Sequence, residues 1–374
     1  MDAANLEEKR YWVGFNLVKG IGAARMRLLL DAFGDARSAW QAPADQLMAV
    51  GLGPKLVETF VKLRANVSLD AVWERIVAHG IQVFTWQDEA YPARLAEIPQ
   101  PPPVIYARGT LLSEDAWAVA VVGTRRVTSY GRQVAEEIAT SLARSGITVV
   151  SGLARGVDAV AHQAALQTGG RSLAVLGCGV DRIYPPENRR LAEQLIEHGA
   201  LISDYAPGTA PDSANFPPRN RIISGLVKAV IVVEAGKTSG ALITAAFAAE
   251  QGREVFAVPG SIYAPQSVGT NLLLQQGARP YLNCQDVLAV LNLAQVTEQR
   301  NLRASIPADP VEARLYTTLS LEPLHIDEIR RQADLPIEKV SAALVMMELK
   351  GLVRQVGGMQ YIAVREASEP YEIE

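Results

Sequence analysis

Phe216-Pro-Pro-Arg219-Asn220-Arg221 sets two guanidinium forks on either side of an amide, at a place where a helix should begin. Two prolines predict an extended approach to that start. Two forks and an amide beside the free N–H groups of a helix start suit several phosphate oxygens better than one small carboxylate. Other segments repeat the chemistry: Gly123-Thr124-Arg125, Ser151-Gly152-Leu-Ala-Arg155 and Ser239-Gly240 each combine glycine with a hydroxyl or an arginine. Glycine lets backbone N–H groups approach a ligand closely, so these segments predict a site for something phosphorylated.

Other patterns point elsewhere and are weaker. Gly236-Lys237-Thr238 resembles the end of a phosphate-binding P-loop, but the earlier glycine of that motif would fall on Ile231, inside a strand. Gly123-Thr-Arg lacks the GxGxxG spacing of a nicotinamide dinucleotide site. Asp158 and His162 stand four apart on one helix face; they read either as an acid–base pair or as a carboxylate serving the helix start with a histidine packed beside it. Glu234 and Asp204 end strands, where balancing nearby guanidinium groups is the simpler role.

The elements that must position these residues are legible between Ala118 and Pro259. Ala118–Val122, Ile147–Ser151, Leu173–Leu176 and Val230–Val233 are apolar runs without polar alternation, as in strands buried on both faces of a parallel sheet. Helical patterns at about 130–144, 157–167, 189–198, 220–226, 240–251 and 270–276 alternate with them. The fold class is therefore α/β, a Rossmann-like doubly wound parallel sheet whose strands all open on one edge.

Around this core the predicted organisation is a helical domain over 1–70, an extended Rossmann-like domain over 71–293, a polar linker over 294–310, a winged-helix domain over 311–365 and a tail over 366–374. Val18-Lys19-Gly20-Ile21-Gly22 and Val50-Gly51-Leu52-Gly53-Pro54 each place glycines between helical runs. They read as helix-hairpin-helix turns able to hold a nucleic-acid phosphate, or as tight turns of a compact bundle. Trp73, Trp86 and Trp117 read as packing residues. Ile81–Trp86 and Val104–Tyr106 read as strands added to the sheet edge. The carboxy-terminal pattern of three helices and a Gly357-Gly358 hairpin is a helix-turn-helix relative, but Glu338 and Glu348 offset Lys339 and Lys350, so docking a protein suits it as well as reading DNA.

Composition narrows the class. A net charge of −4 over 374 residues leaves anion binding to local arginine clusters and backbone donors. Cys178 and Cys284 form no metal-ligand spacing, so no metal or cofactor is expected, and they fit a reducing cytosol. The amino terminus has no signal-peptide pattern and no run is long enough to span a membrane; a cytoplasmic protein is expected.

Tyr91-Pro92-Ala-Arg-Leu95, Pro102-Pro103-Val-Ile-Tyr106-Ala-Arg-Gly109, Val122–Arg125, Ser151–His162, Phe216–Ile222, Ser239–Thr244 and Pro259-Gly260, in this order, resemble the bacterial DNA-processing protein A family (DprA/Smf). The resemblance implies a protein, not an enzyme, that binds incoming single-stranded DNA in natural transformation, protects it and helps load the RecA recombinase. It implies a homodimer through the Rossmann-like domain, with the single-strand-binding protein as a further partner. The DNA-binding residues it implies are Gly123, Thr124, Arg125, Ser151, Gly152, Arg155, Arg219, Asn220, Arg221, Ser239 and Gly240. Asp204 departs from the family's more frequent glutamate, and Pro186 and Pro218 stand where relatives can carry lysine. The competing class is a Rossmann-like nucleoside-monophosphate phosphoribohydrolase, but Pro259-Gly260 is separated from Gly269-Thr270 and no catalytic glutamate follows. A winged-helix regulator would need a basic recognition helix that this sequence lacks.

Overall fold

The computed structural model describes residues 3–291, 309–320, 323–349 and 353–363. The chain divides into two compact units, Met1–Leu293 and Ala294–Glu374.

The first unit opens with helices α1 (Ala3–Leu17), α2 (Ala23–Phe33), α3 (Ala36–Gln41), α4 (Ala44–Ala49), α5 (Pro54–Asn66) and α6 (Leu69–Ala78). Side-chain caps start two of them: Asp35 accepts from the Ser38 N–H at 2.7 Å and Ser68 from the Ala71 N–H at 3.2 Å. Gly20 and Gly51 sit at φ of 105° and 102°, the left-handed region that favours glycine. Phe15 stacks on Phe60 at 5.4 Å and meets Trp40 edge-on at 5.2 Å, so aromatic packing holds the helices. Trp73 is buried, Trp86 packs edge-on against Trp12, and Trp117 lies under the Lys228 ammonium.

The helix α6 runs across the expected 70/71 boundary, and the helices share a core with the sheet. Lys9 donates to the Val83 carbonyl at 3.1 Å and pairs with Asp88, while the Tyr106 hydroxyl donates to Asn16 at 3.0 Å. Helices and sheet therefore belong to one compact unit.

Beyond α6 come β1 (Ile81–Thr85), α7 (Ala93–Ala96), β2 (Val104–Gly109), β3 (Ala118–Val122), α8 (Ser129–Arg144), β4 (Thr148–Ser151), α9 (Val157–Gln167), β5 (Ser172–Val175), α10 (Arg189–His198) and β6 (Gly199–Ser203). Then follow α11 (Phe216–Gly225), β7 (Ala229–Val232), α12 (Gly240–Glu250), β8 (Glu254–Ala257), α13 (Val268–Gln275), β9 (Arg279–Pro280) and α14 (Cys284–Val290). The sheet order is β1-β2-β6-β5-β4-β3-β7-β8-β9. From β6 to β9 the pairing is parallel, and β1 and β2 add an antiparallel edge. Every residue of β3, β4, β5, β6 and β7 is buried, as strands covered by helices on both faces require. The chain winds outward from β3 through β4 and β5 to β6, then returns to β7 on the other side of β3. That reversal is the topological switch point, where loops diverge and leave a crevice beyond the strand ends.

One local expectation is corrected. The helix α11 begins at Phe216, so Pro217 and Pro218 lie in its first turn rather than in an extended approach. Proline's fixed φ and missing N–H suit that turn. Arg219 and Arg221 are therefore both inside the helix, about 200° apart around its axis.

In the second unit, helices Pro310–Thr318, Ile326–Ala333 and Ile337–Leu349 pack with β10 (Leu324–His325), β11 (Val353–Gly357) and β12 (Gln360–Ala363), in the winged-helix pattern. Leu315, Ile329, Leu344, Met347 and Tyr361 form its core. Asp309 caps its first helix through the Val311 N–H at 2.7 Å. Apart from residues 309 and 310, the expected linker lies outside the described residues, as do residues 364 and 365 of the expected winged-helix domain and the tail 366–374.

Candidate functional site

A crevice of about 670 Å³ opens at the switch point, between the loops after β3 and β7 and the starts of α11 and α12. Hydrogen bonding holds its floor. The Thr124 N–H donates to the Glu234 carbonyl at 2.7 Å, joining the ends of β3 and β7. The Glu234 carboxylate accepts from the Thr128 N–H at 3.0 Å and the Thr128 hydroxyl at 2.5 Å, and Thr128 in turn caps α8. Glu234 thus secures a helix start and does not balance an arginine, contrary to the sequence reading. Gly131 is required beside it, because a Cβ there would overlap the Glu234 carboxylate. On the opposite wall Ser239 caps α12, and Gly240 follows at its first position. The Asn220 amide donates to the Gly240 carbonyl at 3.2 Å and ties α11 to α12.

Aromatic rings and arginines form the other wall. The Phe216 ring has the Arg125 guanidinium 5.6 Å away on its centroid and the Arg219 guanidinium at 5.8 Å; the Tyr184 ring lies 5.8 Å off, tilted by 32°. Arg125 is exposed, whereas Arg219 is only 5 % exposed. The Arg219 guanidinium is spent inside the fold: it donates to the carbonyls of Gly152 and Val175 and to the Asn220 side-chain oxygen. Asp158 stands against it, and a Cβ on Gly152 would meet both groups at 2.8 Å. Glycine at 152 leaves room for both groups.

Of the residues expected at the site, Gly123, Thr124, Arg125, Arg219, Asn220, Ser239 and Gly240 line the crevice. Gly152 and Arg155 line a small adjoining hollow with Tyr184 and Phe216, and Arg155 pairs there with Glu187. Two expected residues do not reach the site. Ser151 is fully buried and donates to the Val121 carbonyl at 2.7 Å, because its side chain points into the sheet. Arg221, on the far side of α11, pairs with Asp204 at 2.7 Å and faces a second cleft. Tyr184 was not anticipated; an aromatic before proline, seven residues past the Gly177 turn after β5, was its available signal.

The titratable groups beside the crevice are committed to the fold. Asp158 accepts from the N–H groups of Gly152 and Ala154; burial pushes its carboxyl above the usual range, and Arg219 pulls it back. His162 bonds Ser172 at 2.7 Å instead of Asp158, and burial lowers it to about 3, so it is neutral. Burial raises the Cys178 thiol to about 11. Among the described residues no group of three or more His, Cys, Asp or Glu is placed to hold a metal ion. Free helix N–H groups, an exposed guanidinium and aromatic faces can hold phosphates and stacked rings.

A profile of the family DNA recombination-mediator protein A matches residues 82–292, and one of the DprA winged helix domain matches residues 299–359. The chain is 36% identical over 391 aligned residues to Protein Smf of Synechocystis sp., covering 95% of this chain and 98% of that one. It is 40% identical over 253 residues to DNA processing protein DprA of Bacillus subtilis, covering 66% and 82%. The X-ray structure of DprA from Streptococcus pneumoniae superposes with a TM-score of 0.65 at 33% identity, over 75% of this chain and 96% of that one. A structure describing the single-stranded DNA binding mode of DNA processing protein A from Helicobacter pylori does so with a TM-score of 0.50 at 30% identity, over 56% and 95%. With its sheet unit matched from 82 to 292 and a relative aligned along nearly its whole length, this chain belongs to the DNA recombination-mediator protein A family, DprA/Smf.

Proposed function

We propose that the switch-point crevice binds single-stranded DNA. The observation that carries this reading is the Phe216 ring with the Arg125 and Arg219 guanidinium groups close to it and Tyr184 beside it, on the rim of a crevice lined by helix N-termini. Single strands expose base faces that stack on such rings, whereas a duplex hides them. Arginine and backbone donors read phosphate positions and not base edges, so binding is sequence-tolerant. The relatives named for DNA processing support the assignment, as does the Helicobacter pylori protein described for its single-stranded DNA binding mode.

The finer parts of the reading rest on family membership. The protein works in the cytoplasm during natural transformation, protects the incoming strand as a homodimer and helps load RecA onto it, with the single-strand-binding protein as a further partner. It acts by binding and not as an enzyme. Among the described residues no helix is long and apolar enough to cross a membrane.

A gel-shift comparison of single strands, matched duplex and mononucleotides at two salt concentrations tests the reading. Preference for the single strand, weakening with salt, is expected. Equal affinity for duplex refutes it, and tight binding of mononucleotide with turnover favours a nucleotide-processing enzyme.

A further inference from the structure

A second cleft, of about 470 Å³, lies between the α1–α2 turn and the ends of β6 and α11. Lys19, Gly22, Pro102, Asp204, Tyr205 and Arg221 are among its lining residues. The exposed Lys19 is on the glycine turn, and among the described residues it has no ion-pair partner. The helix α2 starts at Gly22 without a side-chain cap. Arg221 is fixed by Asp204 and by the Gln100 carbonyl, both at 2.7 Å, so the Asp204 charge is compensated and Lys19 sets the sign of the local field. The other oxygen of Asp204, Oδ1, is buried without a hydrogen-bond partner.

The two clefts are neighbours. Phe216 lines the first and Asn215 the second. The two clefts thus share the start of α11 as their common wall. The helix α11 serves both sides, with Arg219 toward the first cleft and Arg221 toward the second.

Resting on the reading of the first crevice as a single-strand site, we propose that the second cleft holds the next nucleotides of the same strand. Lys19 takes a phosphate, and the apolar faces of Pro102 and Tyr205 carry sugar or base. The Arg-Asn-Arg sequence is then a divider between two subsites and not one clamp.

The test is fluorescence anisotropy of the full chain with oligothymidylate and mixed-sequence probes of ~6 and ~20 nucleotides, short enough and long enough to separate one subsite from two. Lys19→Glu should weaken the long probes at least about fivefold and lower the magnitude of their log-affinity against log-salt slope by about 0.7 or more, the loss of one phosphate contact. The short probes should keep their affinity, and Lys19→Arg should behave as the parent. Unchanged binding of the long probes by Lys19→Glu overturns the inference, as does equal weakening at both lengths. Those results leave the first crevice standing, whereas a parent protein that binds neither length overturns both readings.

Discussion

Arg125→Ala and Arg219→Ala should fail in different ways, although both arginines touch the same ring. Arg125 is exposed and lies over Phe216 at 5.6 Å, so removing it leaves no buried group unpaired. Its loss should change folding stability by less than about 0.5 kcal/mol. If it grips one phosphate, the salt slope falls by about 0.7, which at ~0.1 M salt is about fivefold in affinity, or about 1 kcal/mol. Arg219 is buried and supplies donors to the Gly152 and Val175 carbonyls beside Asp158. Its truncation leaves those two carbonyls without their donor, a loss of about 1–3 kcal/mol for each unsatisfied buried group. Urea unfolding of each variant, read beside anisotropy on a single-stranded probe at several salt concentrations, separates the two. An Arg219→Ala protein with the parental urea midpoint but lost affinity would show that its guanidinium faces the strand and not the fold. An Arg125→Ala protein with the parental salt slope would remove Arg125 from the phosphate path.

Three further outcomes follow from the same geometry. Gly131→Ala forces a Cβ into the Glu234 carboxylate and should cost about 1–3 kcal/mol of stability, read by thermal unfolding; an unchanged midpoint would mean that the Glu234 cap yields freely. The buried His162 has its pKa lowered from 6.5 to about 3, so its contribution is full above pH 6.5 and is lost as pH falls toward 3, because the unfolded chain takes the proton first. Between pH 7 and pH 5 that amounts to about 2 kcal/mol, a loss that His162→Gln should not show in urea titrations at the two pH values. A chain ended after Leu293, at the boundary between the units, should keep its single-strand affinity within about tenfold, or about 1.4 kcal/mol, and near-complete loss in a folded protein would move the DNA site to the second unit.

The parallel sheet was readable because burial on both faces removes polar alternation, and Ala118–Val122 and Ala229–Val232 carry that mark plainly. Glycine and arginine after several strands pointed to one edge for the same reason, since parallel strands all end on it. Family membership followed from the order of these motifs. Sequence could not apportion the arginines. Whether a guanidinium meets solvent or a carbonyl depends on its angle around α11 and on what packs there, and two residues of helix separate Arg219 and Arg221 by about 200°. Placing the helix start at Asn220 made them a pair; the structure starts it at Phe216 and sends them to different clefts. Glu234 was equally ambiguous, because its partner Thr128 is more than a hundred residues away and is brought close by the pairing of β3 with β7. Local pattern in this chain determined which elements form and where their loops gather. Only the tertiary structure decided which side chains are spent on the fold and which remain free to bind, because that depends on long-range neighbours that no local spacing encodes.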